Sequence, residues 1–145
     1  MEAVRKIRIM VVDDDPSITL GVEFVLSDEF DAEVEIAEDC ASAREKFVPG
    51  RYNLITLDYR LPDGTGLDLL KEMKMADARV SIIMMSGTGD RELPEQALSM
   101  GATNYVIKDT PELSANLCEV VRAALTAAIP AEADQEKGFQ VRDSF

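Results

Sequence analysis

The sequence predicts an α/β domain of three layers, a parallel sheet of five strands with helices packed on both of its faces. Three observations predict it. Apolar runs of strand length alternate five times with stretches of helical spacing. Those runs are continuously apolar, the mark of strands covered on both sides. The connections between them are short and carry Pro or Gly at the joints, which fits one compact domain.

The elements follow in chain order. Ile7 to Val12 is the first strand. Asp15 can cap the next helix, with Pro16 at the first helical position, where a missing N–H costs nothing. Ile18, Val22, Val25 and Leu26 then repeat at helical spacing. Val34 to Ala37 is the second strand. Asp39 can cap a helix through Phe47, with Cys40, Ala43 and Phe47 on one face, and Pro49-Gly50 ends it. Leu54 to Leu57 is the third strand, followed by Asp58 and a Pro62-Asp63-Gly64 turn. A helix after Gly66 presents Leu67, Leu70, Met73 and Lys74. Val80 to Met85 is the fourth strand, closed by Ser86-Gly87-Thr88-Gly89. A fourth helix runs from about residue 92 to Met100, with Pro94 early in it and Gly101 placed to stop it. Asn104 to Ile107 is the fifth strand. Pro111 starts a last helix whose stripe is Leu113, Leu117, Val120, Val121, Ala124 and Leu125, and Pro130 ends it. The domain is expected over 1–128, with 129–145 a polar tail or the start of a linker.

Composition removes several function classes. The chain of 145 residues has 28 acidic against 15 basic groups, a net charge of −13, which argues against this domain gripping nucleic acid phosphates. No apolar run nears the ~20 residues of a membrane span. The N-terminal apolar run meets Asp13 at once and reads as a strand, not a signal peptide. With no His, catalytic triads and metal sites built on imidazole are excluded. Cys40 and Cys118 fit reduced thiols of a cytoplasmic protein, a disulfide being the alternative. SGTGD lacks the G-x-G-x-x-G order of a dinucleotide site.

Polar residues interrupt the apolar pattern at one kind of place, the C-terminal end of a strand. Strand one ends in Asp13 and Asp14, strand three in Asp58, strand four in Ser86 and strand five in Lys108. In an open parallel sheet these ends share one edge, where ligands bind. Three carboxylates brought together repel one another unless a cation or a proton intervenes. An all-oxygen site suits Mg²⁺, or Mn²⁺. Asp58 can then serve as a nucleophile toward a phosphoryl group. The metal, Lys108 and either the Ser86 hydroxyl or the N–H groups near Gly87 would take its three equatorial oxygens. Blander readings stand beside these: Asp13 and Asp14 as helix caps, Asp58 as a turn residue, Lys108 as a surface lysine, Tyr105 as a strand residue packed under a helix. Asp15 reads as a cap and Asp63 as a turn residue.

The motifs VVDDDP, TLDYRLPDGTG, IIMMSG and GATNYVIK resemble the receiver domain of bacterial two-component response regulators, over roughly residues 6 to 127. The resemblance implies a flavodoxin-like, doubly wound sheet of strand order 2-1-3-4-5. It implies that Asp58 accepts a phosphoryl group from a sensor histidine kinase or a phosphotransfer protein. Mg²⁺ would be held by Asp14, Asp58 and the Arg60 backbone carbonyl, with Asp13 acting through water. Ser86 and Tyr105 would form the switch, and Arg60 and Thr88 would tune dephosphorylation. The fourth helix, fifth strand and fifth helix would form the face that reaches an output domain or target protein, or pairs a homodimer. Membranes and nucleic acid would not be contacted directly. The chain departs from the family at Asp109, where proline is usual, which removes the cis peptide bond the family carries there, and at Gly87, where alanine is commoner. The competing functions are a receiver-like adaptor that works without phosphorylation and a Mg²⁺-dependent aspartyl phosphatase, faintly echoed by Asp13-x-Asp15 with Ser17. The first reading makes the chain a substrate of its partners, not an enzyme beyond its own phosphorylation and dephosphorylation.

Overall fold

The computed structural model describes residues 6–87 and 92–137, with the backbone alone over 128–137. Five strands form the main sheet: β1 (Ile7–Val12), β2 (Ala32–Ala37), β3 (Leu54–Asp58), β4 (Ser81–Ser86) and β5 (Asn104–Ile107). The helices are α1 (Pro16–Phe30), α2 (Cys40–Lys46), α3 (Gly66–Ala76), α4 (Leu93–Ser99) and α5 (Leu113–Lys137). The strand order is β2-β1-β3-β4-β5 and every pairing is parallel. A small antiparallel hairpin, Arg60–Leu61 against Gly64–Thr65, sits between β3 and α3.

The continuous apolar strands bury both faces, as their composition requires. Met10, Val12, Ile55, Leu57, Ile82 and Met84 meet side chains of α2, α3 and α4 on one face. Ile9, Val11, Leu54, Ile83, Met85 and Val106 meet α1 and α5 on the other. Neighbours in sequence point to opposite faces of a strand. That alternation puts Asp13, Asp58 and Lys108 on the α1/α5 side and Ser86 and Tyr105 on the α2–α4 side. The register then levels them. Val12 lies beside Leu57, Asp58 beside Met85, and Ser86 beside Ile107.

Local signals act as their chemistry dictates. Asp15 caps α1 by accepting from the Ser17 N–H at 3.0 Å, directly ahead of Pro16. Asp39 accepts from the Ser42 N–H at 2.8 Å while the Ser42 hydroxyl answers its backbone, a full capping box.

Several boundaries differ from expectation. β2 starts at Ala32, because Asp31 takes a left-handed conformation (φ 52°) that ends α1 immediately before it. α5 starts at Leu113, after a turn in which the Leu113 N–H donates to the Thr110 carbonyl at 3.1 Å. α5 also passes through Pro130 to Lys137. Proline disfavours a helix interior by its missing N–H and its ring, yet the flanking Ala, Glu, Gln and Lys residues favour helix and the backbone continues. In α3, Leu69 is fully buried beside Leu70 and Met73, while Leu67 is only half-buried. Lys74 folds back to donate to the Ala78 and Val80 carbonyls at 2.9 and 2.7 Å, so it closes the α3–β4 loop. No described peptide bond is cis, in keeping with Asp109 at the proline position.

Candidate phosphoacceptor and metal site

The strand tips converge. One carboxylate oxygen from each of Asp13, Asp14 and Asp58 lies within 4.8 Å of the others. Asp13 and Asp58 are buried and Asp14 is exposed. The Lys108 ammonium bridges the two buried acids, 2.9 Å from Asp13 Oδ2 and 3.1 Å from Asp58 Oδ2. β5 ends at Ile107, and the Lys108 N–H donates to the Ser86 carbonyl at 2.8 Å, which carries the sheet pairing one residue further and aims the side chain at the acids.

The electrostatics are unbalanced around Asp58. Burial pushes its carboxyl up to about 6, with the neighbouring Asp13 charge adding to the rise. The Lys108 ammonium and the Arg60 N–H, which bonds the carboxylate, offset only part of it. Burial works to depress Lys108, yet its bonds to Asp13 and Asp58 outweigh this and hold the ammonium above its usual value. One positive charge is therefore shared between two buried negative ones, with a third acid at the rim.

These residues fit a hard divalent cation. Asp13 Oδ1 accepts from the Asp15 N–H at 3.0 Å. Its Oδ2 is buried and has no hydrogen bond of good geometry, only the ion pair to Lys108. The donor set is all oxygen, and a pocket of about 790 Å³ opens onto it, lined by Asp14, Asp58, Arg60, Ser86, Lys108 and Asp109. The three acids form a Mg²⁺ site of the kind found in receiver domains.

Ser86 and Tyr105 are joined: their hydroxyl oxygens are 3.0 Å apart. Ser86 is buried, and the half-buried Tyr105 ring packs against the α2–α4 core. The Tyr105 hydroxyl thus meets Ser86, which lines the pocket. Arg60 is exposed, its guanidinium 5.2 Å above the Tyr59 ring centre. Thr88 lies outside the described residues. Gly66 is required for backbone reasons, since a Cβ there would collide with the Asp58 carbonyl.

One residue does more than sequence reasoning assigned it. Asp63, read as a turn residue, accepts from the Cys40 N–H at 2.7 Å and the Ala41 N–H at 3.0 Å, and so fastens the hairpin to the start of α2. Its partners precede it by 23 and 22 positions, and no local pattern announces that contact.

A buried acid held ready at the carboxyl edge of a 2-1-3-4-5 sheet, beside a cation site and a fixed ammonium, defines a signalling domain that is phosphorylated on aspartate. This architecture is consistent with a domain that is itself phosphorylated and dephosphorylated. The response regulator receiver domain model matches residues 9–122, and the chain belongs to that family. The chemotaxis protein CheY of Bacillus subtilis is 33% identical over 101 residues, 70% of this chain and 84% of CheY. The transcriptional regulatory protein FixJ of Azorhizobium caulinodans is 33% identical over 115 residues. That match takes in 79% of this chain and 53% of FixJ, so the chain spans about half the length of this relative. A solved CheY-like receiver domain protein from Methanospirillum hungatei shares the fold with a TM-score of 0.79 at 28% identity, covering 88% of this chain and 99% of that one. No helix among the described residues is long and apolar enough to cross a membrane.

Proposed function

We propose that Asp58 is the phosphoacceptor of a cytoplasmic relay, taking its phosphoryl group from a phosphohistidine of a sensor kinase or phosphotransfer protein. The observation that carries this is the shared ammonium: Lys108 holds Asp13 and Asp58 at 2.9 and 3.1 Å and leaves Asp58 at the floor of an open pocket. The ionised Asp58 oxygen attacks phosphorus as the N–P bond breaks, the imidazole nitrogen keeps that electron pair, and an acyl phosphate forms. Bound Mg²⁺ would neutralise charge on the transferring group, held by Asp14, Asp58 and the Arg60 carbonyl, with Asp13 behind a water. Lys108 leans from Asp58 toward one phosphoryl oxygen, and Ser86 donates to another.

Ser86 is bonded to Tyr105, so a new anion at Asp58 competes for a hydroxyl that already has a partner. That competition reaches β5 and, through it, the α4–β5–α5 surface, the side assigned to an output domain, target protein or second copy. Arg60 and Thr88 set access of water to the acyl phosphate. We assign residues 1–128 to the receiver and 129–145 to a polar tail or the start of a linker.

The test is incubation with acetyl phosphate or beryllofluoride, with and without Mg²⁺, followed by intact mass and amide NMR. The wild-type chain should gain one acid-labile phosphate only with Mg²⁺, and Asp58→Asn should gain none. Equal labelling of Asp58→Asn would overturn the assignment. Partner binding that ignores beryllofluoride would favour a phosphorylation-independent adaptor.

A further inference from the structure

The segment between β3 and α3 carries one group of the proposed cation site, the Arg60 peptide, just beyond Asp58 at the end of β3, yet little of its own structure holds it. Its hairpin has only two rungs, Arg60 with Thr65 and Leu61 with Gly64. An isolated two-stranded hairpin is marginal in water even when longer. Its base is pinned well: the Gly66 N–H donates to the Tyr59 carbonyl at 2.7 Å, and the Tyr59 N–H to the Met85 carbonyl at 2.9 Å. At its tip Leu61 is buried in the α2–α4 core, and Asp63 ties the turn to α2, both carboxylate oxygens going to the N–H groups of Cys40 and Ala41. The Cys40 thiol lies within hydrogen-bonding reach of the same carboxylate. The hairpin rests directly on the helix start, since a Cβ on Gly64 would sit 3.1 Å from Cys40 Sγ.

α2 has its own cap. Asp39 takes the Ser42 N–H and Ser42 answers it. Asp63 therefore joins two pieces of structure where Asp39 serves one. Arg60 stands between the two anchors, its N–H on the Asp58 carboxylate and its residue paired with Thr65.

We infer that Asp63 is a positioning residue for the cation site: by clamping the hairpin tip to the start of α2, it holds the Arg60 carbonyl in place to bind Mg²⁺ together with Asp14 and Asp58. The inference rests on the Mg²⁺ reading of the pocket and adds a residue outside it. A merely structural Asp63 would stabilise α2 and leave the metal alone.

Asp39→Ala supplies the control, since it removes a bond from the same helix end without touching the hairpin. Mg²⁺ alone is titrated calorimetrically into the full chain, well below its melting temperature, for wild type, Asp63→Ala, Asp63→Asn and Asp39→Ala. Asp63→Ala should bind about tenfold more weakly, the lower end of the loss that follows removal of a supporting partner at a metal site. Asp63→Asn keeps one acceptor oxygen and should fall between, which also covers poor folding of the alanine variant. Asp39→Ala should bind as wild type does. In the absence of metal, the Arg60 amide resonance should move in Asp63→Ala and stay put in Asp39→Ala. If Asp63→Ala binds Mg²⁺ as tightly as wild type, or Asp39→Ala weakens it equally, Asp63 is only a second helix cap and the inference falls. If the wild-type chain itself takes up no Mg²⁺, the reading of the pocket fails instead, and the Arg60 resonance still decides whether Asp63 positions that peptide.

Discussion

Asp58, at the end of β3, and Asp63, in the hairpin turn that follows, lie five positions apart and have opposite fates. Asp58 is buried, near a second buried acid, and its carboxyl is pushed up to about 6. Asp63 is exposed, and the Cys40 N–H beside it holds its carboxyl below the usual range, with the Ala41 N–H adding to the effect. The second acid completes a helix end and is at rest. The first is left with too little positive charge, and reactivity belongs to it. What separates them is partners, not residue type. One faces backbone donors with no charge of their own to lose; the other shares one ammonium with Asp13.

The largest expected difference is in phosphate uptake. Asp58→Asn should reduce Mg²⁺-dependent acyl phosphate formation from acetyl phosphate by more than about 100-fold, because Asp58 is the proposed nucleophile. Asp63→Asn should keep the capacity for one phosphate at full extent, whatever its metal requirement. Loss of capacity in both would erase the contrast.

Opposite pH signs come next. A raised Asp58 binds its proton more tightly in the folded chain than in the unfolded one, so its ionisation removes stability as pH rises from about 4 to about 6. In metal-free solution at pH 7.5, Asp58→Asn should therefore be more stable than wild type, by on the order of 1 kcal/mol, as read by urea denaturation. Saturating Mg²⁺ should shrink or reverse that gain. Asp63 has the other sign. Its stabilisation is full above the unfolded carboxyl value near 3.8 and fades as pH falls through its lower folded value, so Asp63→Asn should destabilise at pH 7 and cost progressively less in acid.

The smallest effect concerns the thiol beneath the hairpin. Burial pushes Cys40 up to about 11, with the neighbouring Asp63 carboxylate adding to the rise. At pH 7.5 Cys40 should alkylate far more slowly than the half-exposed Cys118, in a mass-resolved iodoacetamide time course. Equal rates would mean that the hairpin opens readily, and the resting character given to Asp63 would have to be withdrawn.

Strand tips were legible because each ends an apolar run in a charge that a buried strand would not otherwise carry. Asp13, Asp58 and Lys108 stand out for that reason, and parallel topology does the rest. The caps at Asp15 and Asp39 were legible because their partners lie two or three positions away. Asp63 was not, since its partners belong to another helix. The bond between Ser86 and Tyr105 depends on both side chains sharing one face of the sheet, which only the register of β4 against β5 decides. Pro130 behaves in the opposite way: a strong local signal for a helix end yields where the residues around it favour helix.

Two hydroxyls 3.0 Å apart can share their hydrogen in either direction. In the proposed switch, a phosphoryl group on Asp58 would draw the serine proton toward itself, leaving tyrosine as the donor to serine. In that proposal a change in charge at one strand tip would be read as a direction of hydrogen bonding two strands away, before any helix moves.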